Sequence, residues 1–166
     1  MPIASTDIHY RLSGGASNSN QNAALGGAMS TTTDASASLY DDVTGAESAA
    51  GDTEYRGVYI SNEHGSLTYQ SVKVWISTDT PSADTDADVA LAAEAVNVTM
   101  ATIADENTAP SGVTFNNSAV SFATGLSIGD IPAGQKKGVW LKRVVNAGAA
   151  AAADSFTVSC QGDTNP

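Results

Sequence analysis

Gly57-Val58-Tyr59-Ile60, Lys73-Val74-Trp75-Ile76 and Gly138-Val139-Trp140-Leu141 carry the reading of the fold. Each places a valine, an aromatic and an aliphatic residue in succession. In an extended chain the valine and the aliphatic residue face one side and the aromatic faces the other. Three such stretches predict comparable strands with bulky groups on both faces, as in a sheet covered on both sides. Trp75 and Trp140 then have two readings. They are core residues, or, with Lys73 and Lys142 beside them, they form an aromatic face that meets a partner protein.

The surrounding sequence extends the β reading. Glu54–Asn62 is a strand, and Asn62-Glu63-His64-Gly65 a turn in which Gly65 is free to take positive φ. Leu67–Thr78 is a second strand, closed by Ser77-Thr78-Asp79-Thr80-Pro81. Val113-Thr114-Phe115 and Val120-Ser121-Phe122 read as short strands joined at Asn116-Asn117. Ile131-Pro132-Ala133-Gly134-Gln135 is a turn feeding a strand over Lys136–Val145, and Ser155–Gln161 alternates as the last strand. Asp88–Val98 is assigned to strand by its neighbours, although Leu, Ala and Glu also suit a helix. Ala149–Ala153 is too short for a lone helix and reads as a connection with a helical turn. The class is all-β, a sandwich or barrel.

Before this body, Ile8-His9-Tyr10-Arg11-Leu12 alternates as a short strand that Ser13-Gly14-Gly15 stops. From Ser13 to Thr53 the large apolar residues are Leu25, Met29, Leu39, Tyr40 and Val43 alone. Such a segment buries too little to offset its own ordering entropy. Fully extended, Ser13 to Ser38 reaches roughly 85 Å. It is expected to be a linker, or an arm that orders against something else. Thr44-Gly45-Ala46-Glu47 matches a helix capping box, and Gly51 ends that helix within about a turn. The division is residues 1–53, N-terminal strand and extended arm, and residues 54–166, β-sandwich body.

Composition narrows the function. The 166 residues include 28 Ala, 19 Ser, 17 Thr and 15 Gly, and seven Lys and Arg against 18 Asp and Glu give a net charge of −11. So few basic side chains argue against nucleic acid, which is held by clustered Lys and Arg, and against an anionic membrane surface. Met1–Asp7 lacks the basic and apolar stretches of a secretory signal. The lone Cys160 can neither close an internal disulfide nor by itself hold structural zinc.

The chemistry-bearing residues are sparse. His9 sits in a strand and His64 in a turn, and no Gly-x-Ser-x-Gly elbow is present. Asp84-Thr85-Asp86-Ala87-Asp88 has the spacing of the first three ligands of a calcium loop. Val89 then stands where Gly belongs and Ala95 where a bidentate Glu belongs, so it is not an EF-hand, which leaves a plain acidic loop or a looser calcium site on the same carboxylates. Asn97-Val98-Thr99 and Asn116-Asn117-Ser118 fit the glycosylation pattern without a signal peptide to support it. Gly14-Gly15 lacks the further glycines and the basic residue of a phosphate loop. No catalytic residue, metal or cofactor is expected.

Asp7-Ile8-His9-Tyr10-Arg11-Leu12-Ser13-Gly14-Gly15-Ala16, followed by Asn18-Ser19-Asn20 and Leu25-Gly26-Gly27, resembles small virion structural proteins of tailed bacteriophages. Gly51–Arg56, Ala109–Phe115 and Gln161–Thr164 are similar to segments of the same proteins. The resemblance spans most of the chain, but its motifs are loop and strand signatures without catalytic meaning. It implies an immunoglobulin-like β-sandwich and a place in the virion: a capsid decoration protein that binds the major capsid protein and stabilises the shell, with a neck or tail component second. A carbohydrate-binding module using Trp75 or Trp140 is the reading from another class. Self-association, as a trimer around a local threefold axis, would suit a symmetric shell. The expected contact residues are Tyr10, Arg11, Leu25 and Met29 from the arm, with Trp75, Lys136, Lys137, Trp140 and Arg143 from the body.

Overall fold

The computed structural model describes residues 2–150 and 154–164, so Ala151–Ala153 of the expected alanine-rich connection lie outside the described residues. Seven strands dominate: β1 (Ile8–Leu12), β2 (Asp52–Asn62), β3 (Tyr69–Thr78), β4 (Thr85–Leu91), β5 (Leu126–Ile131), β6 (Lys136–Val145) and β7 (Thr157–Thr164). Among the described residues the helical content is one short helix, α1 (Gly45–Ala50), and two single 3-10 turns. Two antiparallel sheets result, in the orders β1-β2-β6-β4 and β5-β3-β7. The protein is all-β.

The recurrent tetrapeptides explain how the larger sheet is built. In the β2–β6 register Gly57 lies opposite Trp140, Val58 opposite Val139, and Tyr59 opposite Gly138. Each aromatic therefore sits across from a glycine, on the face away from the valines. Val58, Ile60, Val139 and Leu141 turn inward and join Val72, Val74, Ile76 and Ile131 of the smaller sheet in one buried cluster. Tyr59 and Trp140 turn outward yet are 0% and 1% exposed. The space left by the two glycines is filled by Met100, whose Cε lies 3.0 Å from where a Cβ on Gly57 would stand. Ile103, Val113 and Phe115 pack around the same outer cluster.

This cover departs from the expected strands. Val113-Thr114-Phe115 and Val120-Ser121-Phe122 are irregular; Asn116 makes only an isolated bridge to Val89. Their apolar residues are spent on covering surface, and Phe115 meets Tyr55 at 5.4 Å between centroids. β4 starts at Thr85 and ends at Leu91, well short of Val98, because Lys137 Nζ donates to the carbonyls of Ala92 (2.8 Å) and Glu94 and bends the chain away. β5 was not foreseen, since Ser127, Gly129 and Asp130 are poor strand formers. β1 and β6 begin and end where the alternation places them, and Thr44 caps α1 in a capping box with Glu47.

The N-terminal segment lies against the larger sheet. β1 pairs with β2 from Ile8↔Asn62 to Leu12↔Val58. Beyond it, Ser13 Oγ donates to the Gly57 carbonyl (2.7 Å) and accepts from the Gly26 amide (2.9 Å), while the Gly57 amide donates to the Ala24 carbonyl (2.7 Å). Leu12, Ala24, Ser30 and Leu39 are buried. A polar, glycine-rich stretch is ordered here by hydrogen bonds to remote backbone together with the few apolar side chains, Ala24 and Leu39 among them, that it lends to the core. The division expected between residues 53 and 54 falls inside β2.

Candidate functional site

The outer face of the smaller sheet presents an apolar patch. Val72, Val74 and Ile76 of β3 point inward and are at most 3% exposed, so Lys73 and Trp75 take the opposite face. The irregular segment before β5 folds back over them. Phe122 meets Trp75 edge-to-face at 6.0 Å and 80°, and Lys73 Nζ stands 5.1 Å from the Phe122 centroid. Phe122 is 40% and Val120 53% exposed, two of the four large apolar residues so exposed among the described residues. A partly exposed tryptophan buttressed by an exposed phenylalanine and rimmed by a cation has the chemistry of a protein contact. Of the expected contact residues, Trp75 belongs to this patch. Phe122 lies in a stretch whose sequence predicts a strand, and nothing local in that sequence shows that its ring returns to Trp75.

The remaining expected residues are scattered, and several are removed from contact by their own partners. Trp140 is sealed beneath Met100. Lys137 is 8% exposed, its ammonium held by backbone carbonyls, and burial lowers its pKa. Arg11 is 9% exposed and bidentate to Glu63 (2.7 and 2.8 Å), with Asp34 at 3.2 Å. These three are not a free surface. Tyr10 is half-buried, and burial raises its phenol well above the ordinary value, with Cys160 adding to the shift. Met29 packs on the outer cluster, Leu25 accepts from the Ile103 amide (3.0 Å), and Lys136 lies over the Tyr59 ring at 5.9 Å.

Arg143 belongs to a buried polar network at one end of the sandwich. There the inner face of β2 changes from Ile60 and Val58 to Arg56 and Glu54. Glu54, 1% exposed, lies directly opposite Arg143, whose Nε donates to its carboxyl at 2.5 Å. Arg56 pairs with Glu106 and donates to the Leu39 carbonyl (3.1 Å), and Arg143 donates to that of Asp41 (2.7 Å). The Tyr40 ring stacks against both guanidiniums, at 5.3 and 4.9 Å. Burial pushes the Glu54 carboxyl up to about 7 against the pull of Arg143 and Arg56. Carboxyl oxygens of Asp41, Glu54 and Glu106 lie within 4.8 Å of one another, and the guanidiniums of Arg56 and Arg143 already contact all three groups. A cleft of about 430 Å³ opens beside this network, lined by Tyr10, Leu39, Tyr40, Leu141, Arg143 and Phe156 among others.

The other chemistry-bearing residues have structural partners. His9 Nδ1 is 3.0 Å from Asp34, and His64 Nδ1 accepts from the amides of Ser66 and Leu67. Asp84, Asp86 and Asp88 do not converge: Asp88 pairs with Lys142, Asp84 accepts from the Ala150 amide, and Asp86 lies beside Asp79. Burial raises the Cys160 thiol.

Comparison with known proteins adds no relative: no family model, no curated protein and no solved structure matches this chain.

Proposed function

We propose that this chain is a virion structural protein of a tailed bacteriophage, a decoration protein that binds the major capsid protein on the capsid surface and strengthens contacts between shell subunits. The observation that carries the reading is the Trp75–Phe122 pair with Lys73 at its rim, an exposed apolar surface on a sheet whose other face is core. The resemblance of Asp7–Ala16 and Gly51–Arg56 to small virion proteins supplies the setting. Four strands facing three support an immunoglobulin-like sandwich in layering. The order β5-β3-β7 differs from the third-sixth-seventh order of the constant-type domain. An N-terminal arm crossing to a neighbour would have to give up the Ser13, Gly26 and Gly57 hydrogen bonds, so the contact is assigned to the rigid patch.

Quantitative mass spectrometry of purified virions tests this. A copy number comparable to that of the major capsid protein is expected. A single ring's worth of copies would move the protein to the neck or tail, and absence from virions would overturn the reading. Glycan binding that Trp75→Ala abolishes with the fold intact would favour the carbohydrate-binding alternative, to which the buried Trp140 can contribute nothing.

A further inference from the structure

Two antiparallel sheets have four edge strands, and three of them are occupied or distorted. The outer edge of β1 is covered by the following segment, with Leu12 donating to Thr33, Ser30 to Leu12 and Ala35 to Tyr10. β4 exchanges amide and carbonyl with Asn116 at Val89. β5 is only six residues long, loses register against β3, and carries Gly129 at φ +84°. β7 differs. It runs eight residues, pairs on one side with β3, and its other edge has no backbone partner among the described residues. The register shifts in the β3–β7 ladder fall where β3 advances an extra residue, at Gln70/Lys73 and Ile76/Thr78, so β7 itself keeps a regular repeat. Thr157-Val158-Ser159-Cys160-Gln161-Gly162-Asp163-Thr164 contains no proline, lysine or arginine. Proteins ordinarily blunt such an edge, because its unpaired amides and carbonyls are a template for another strand.

We infer that β7 is the self-association edge of this protein, pairing antiparallel with β7 of a second copy across a two-fold axis to make one continuous six-stranded sheet. Residues opposite one another in such a pair must share a face, which leaves registers centred on Cys160 or on Gln161, each joining seven residues. The charge pattern allows both: Asp163 is the only charged residue of β7, and it falls opposite Thr157 or Ser159, never opposite its own copy. The pairing adds a strand to the free edge of the smaller sheet. Its consequence rests on the proposed function: with strands about 4.8 Å apart, the two β3 strands stand about 14 Å apart, and two Trp75 patches share one outer face. The contact is isologous and closes as a dimer, in place of the threefold assembly expected from the shell.

Sedimentation equilibrium of the full chain tests the pairing without reference to any capsid. Each copy carries a charge of −11, so the measurement is made in molar salt, where the screening length falls to about 3 Å. A doubling of the sedimenting mass is expected. Ser159→Glu/Gln161→Glu places like charges opposite one another in either register, with Asp163 adding to the repulsion when the centre is Gln161. It should weaken association by about tenfold or more while the monomer, which loses only the exposed Ser159–Ser77 hydroxyl bond, still unfolds cooperatively. Mixing it with Ser159→Lys/Gln161→Lys should restore a heterodimer. A monomer at every concentration, a trimer, or a dimer indifferent to the glutamate pair would overturn the inference. Dimerisation without virion incorporation would leave β7 pairing standing and remove the decoration role alone.

Discussion

Glu54 is a carboxyl whose burial opposes its ionisation. The folded protein keeps its proton up to about pH 7, whereas an exposed glutamate loses it near the ordinary 4.5. A raised acid stabilises the fold fully below its unfolded pKa, and that contribution disappears as pH rises through the folded one. The melting temperature should therefore decline between about pH 4.5 and about 7, and scanning calorimetry of Glu54→Gln should show a flatter profile, whatever its height. A decline of equal steepness in the variant would assign the dependence elsewhere. The two tryptophans separate in the same way. Trp140→Ala empties a site that is 1% exposed beneath Met100 and should cost about 3–5 kcal/mol in denaturant unfolding. Trp75→Ala should cost markedly less and act instead on partner binding.

At the scale of elements, the decisive feature is how irregular segments dock on strands. The two glycine-aromatic pairs of β2 and β6 make a surface that Met100 fills, and Met100 in turn donates its amide to the Tyr59 hydroxyl (2.8 Å). Gly26 holds the N-terminal segment against this assembly at φ +85°, and a Cβ there would strike the Ala101 carbonyl. Both the positive φ and the backbone collision oppose any side chain. Gly26→Ala should lower stability by about 1–3 kcal/mol. Hydrogen exchange should locate the damage: the Gly57 amide, bonded to the Ala24 carbonyl, should lose protection while the β3–β7 ladder keeps its own. Uniform loss across both sheets would mean that the segment and the body open as one unit.

At the scale of the molecule, that same dependence argues against an N-terminal segment that can be cut away. Removing residues 1–38 would strip β1 from β2, expose the inward side of Val58 and Ile60 where Leu12 packs, and leave β2 as an unprotected edge. The truncated chain should lose cooperative unfolding or aggregate, as thermal circular dichroism would show. A sharp transition near that of the full chain would instead establish an independent body. The low count of basic residues is also explained at this scale. Arg11, Arg56 and Arg143 all hold one segment to another, and Lys137 caps a strand end, so most of the positive charge is spent inside.

The amino-acid sequence by itself determined the all-β class, the limits of β1 and β6, the α1 cap at Thr44 and the division of β2, β3 and β6 into a valine-aliphatic face and an aromatic face. Each of these rests on local periodicity or on a cap closed within one turn. Tertiary structure alone decided that Trp140 is buried while Trp75 is partly exposed, although both stand in the same Val-aromatic-aliphatic pattern. The difference is the cover: Met100 reaches Trp140 from forty residues away, whereas Trp75 is met edge-on by Phe122, itself 40% exposed. Tertiary structure also decided the fate of Ser13–Leu39, where the ordering comes from hydrogen bonds to remote backbone and from Ala24, Met29 and Leu39 docking on the two clusters. Those partners leave no trace in the composition of the segment itself.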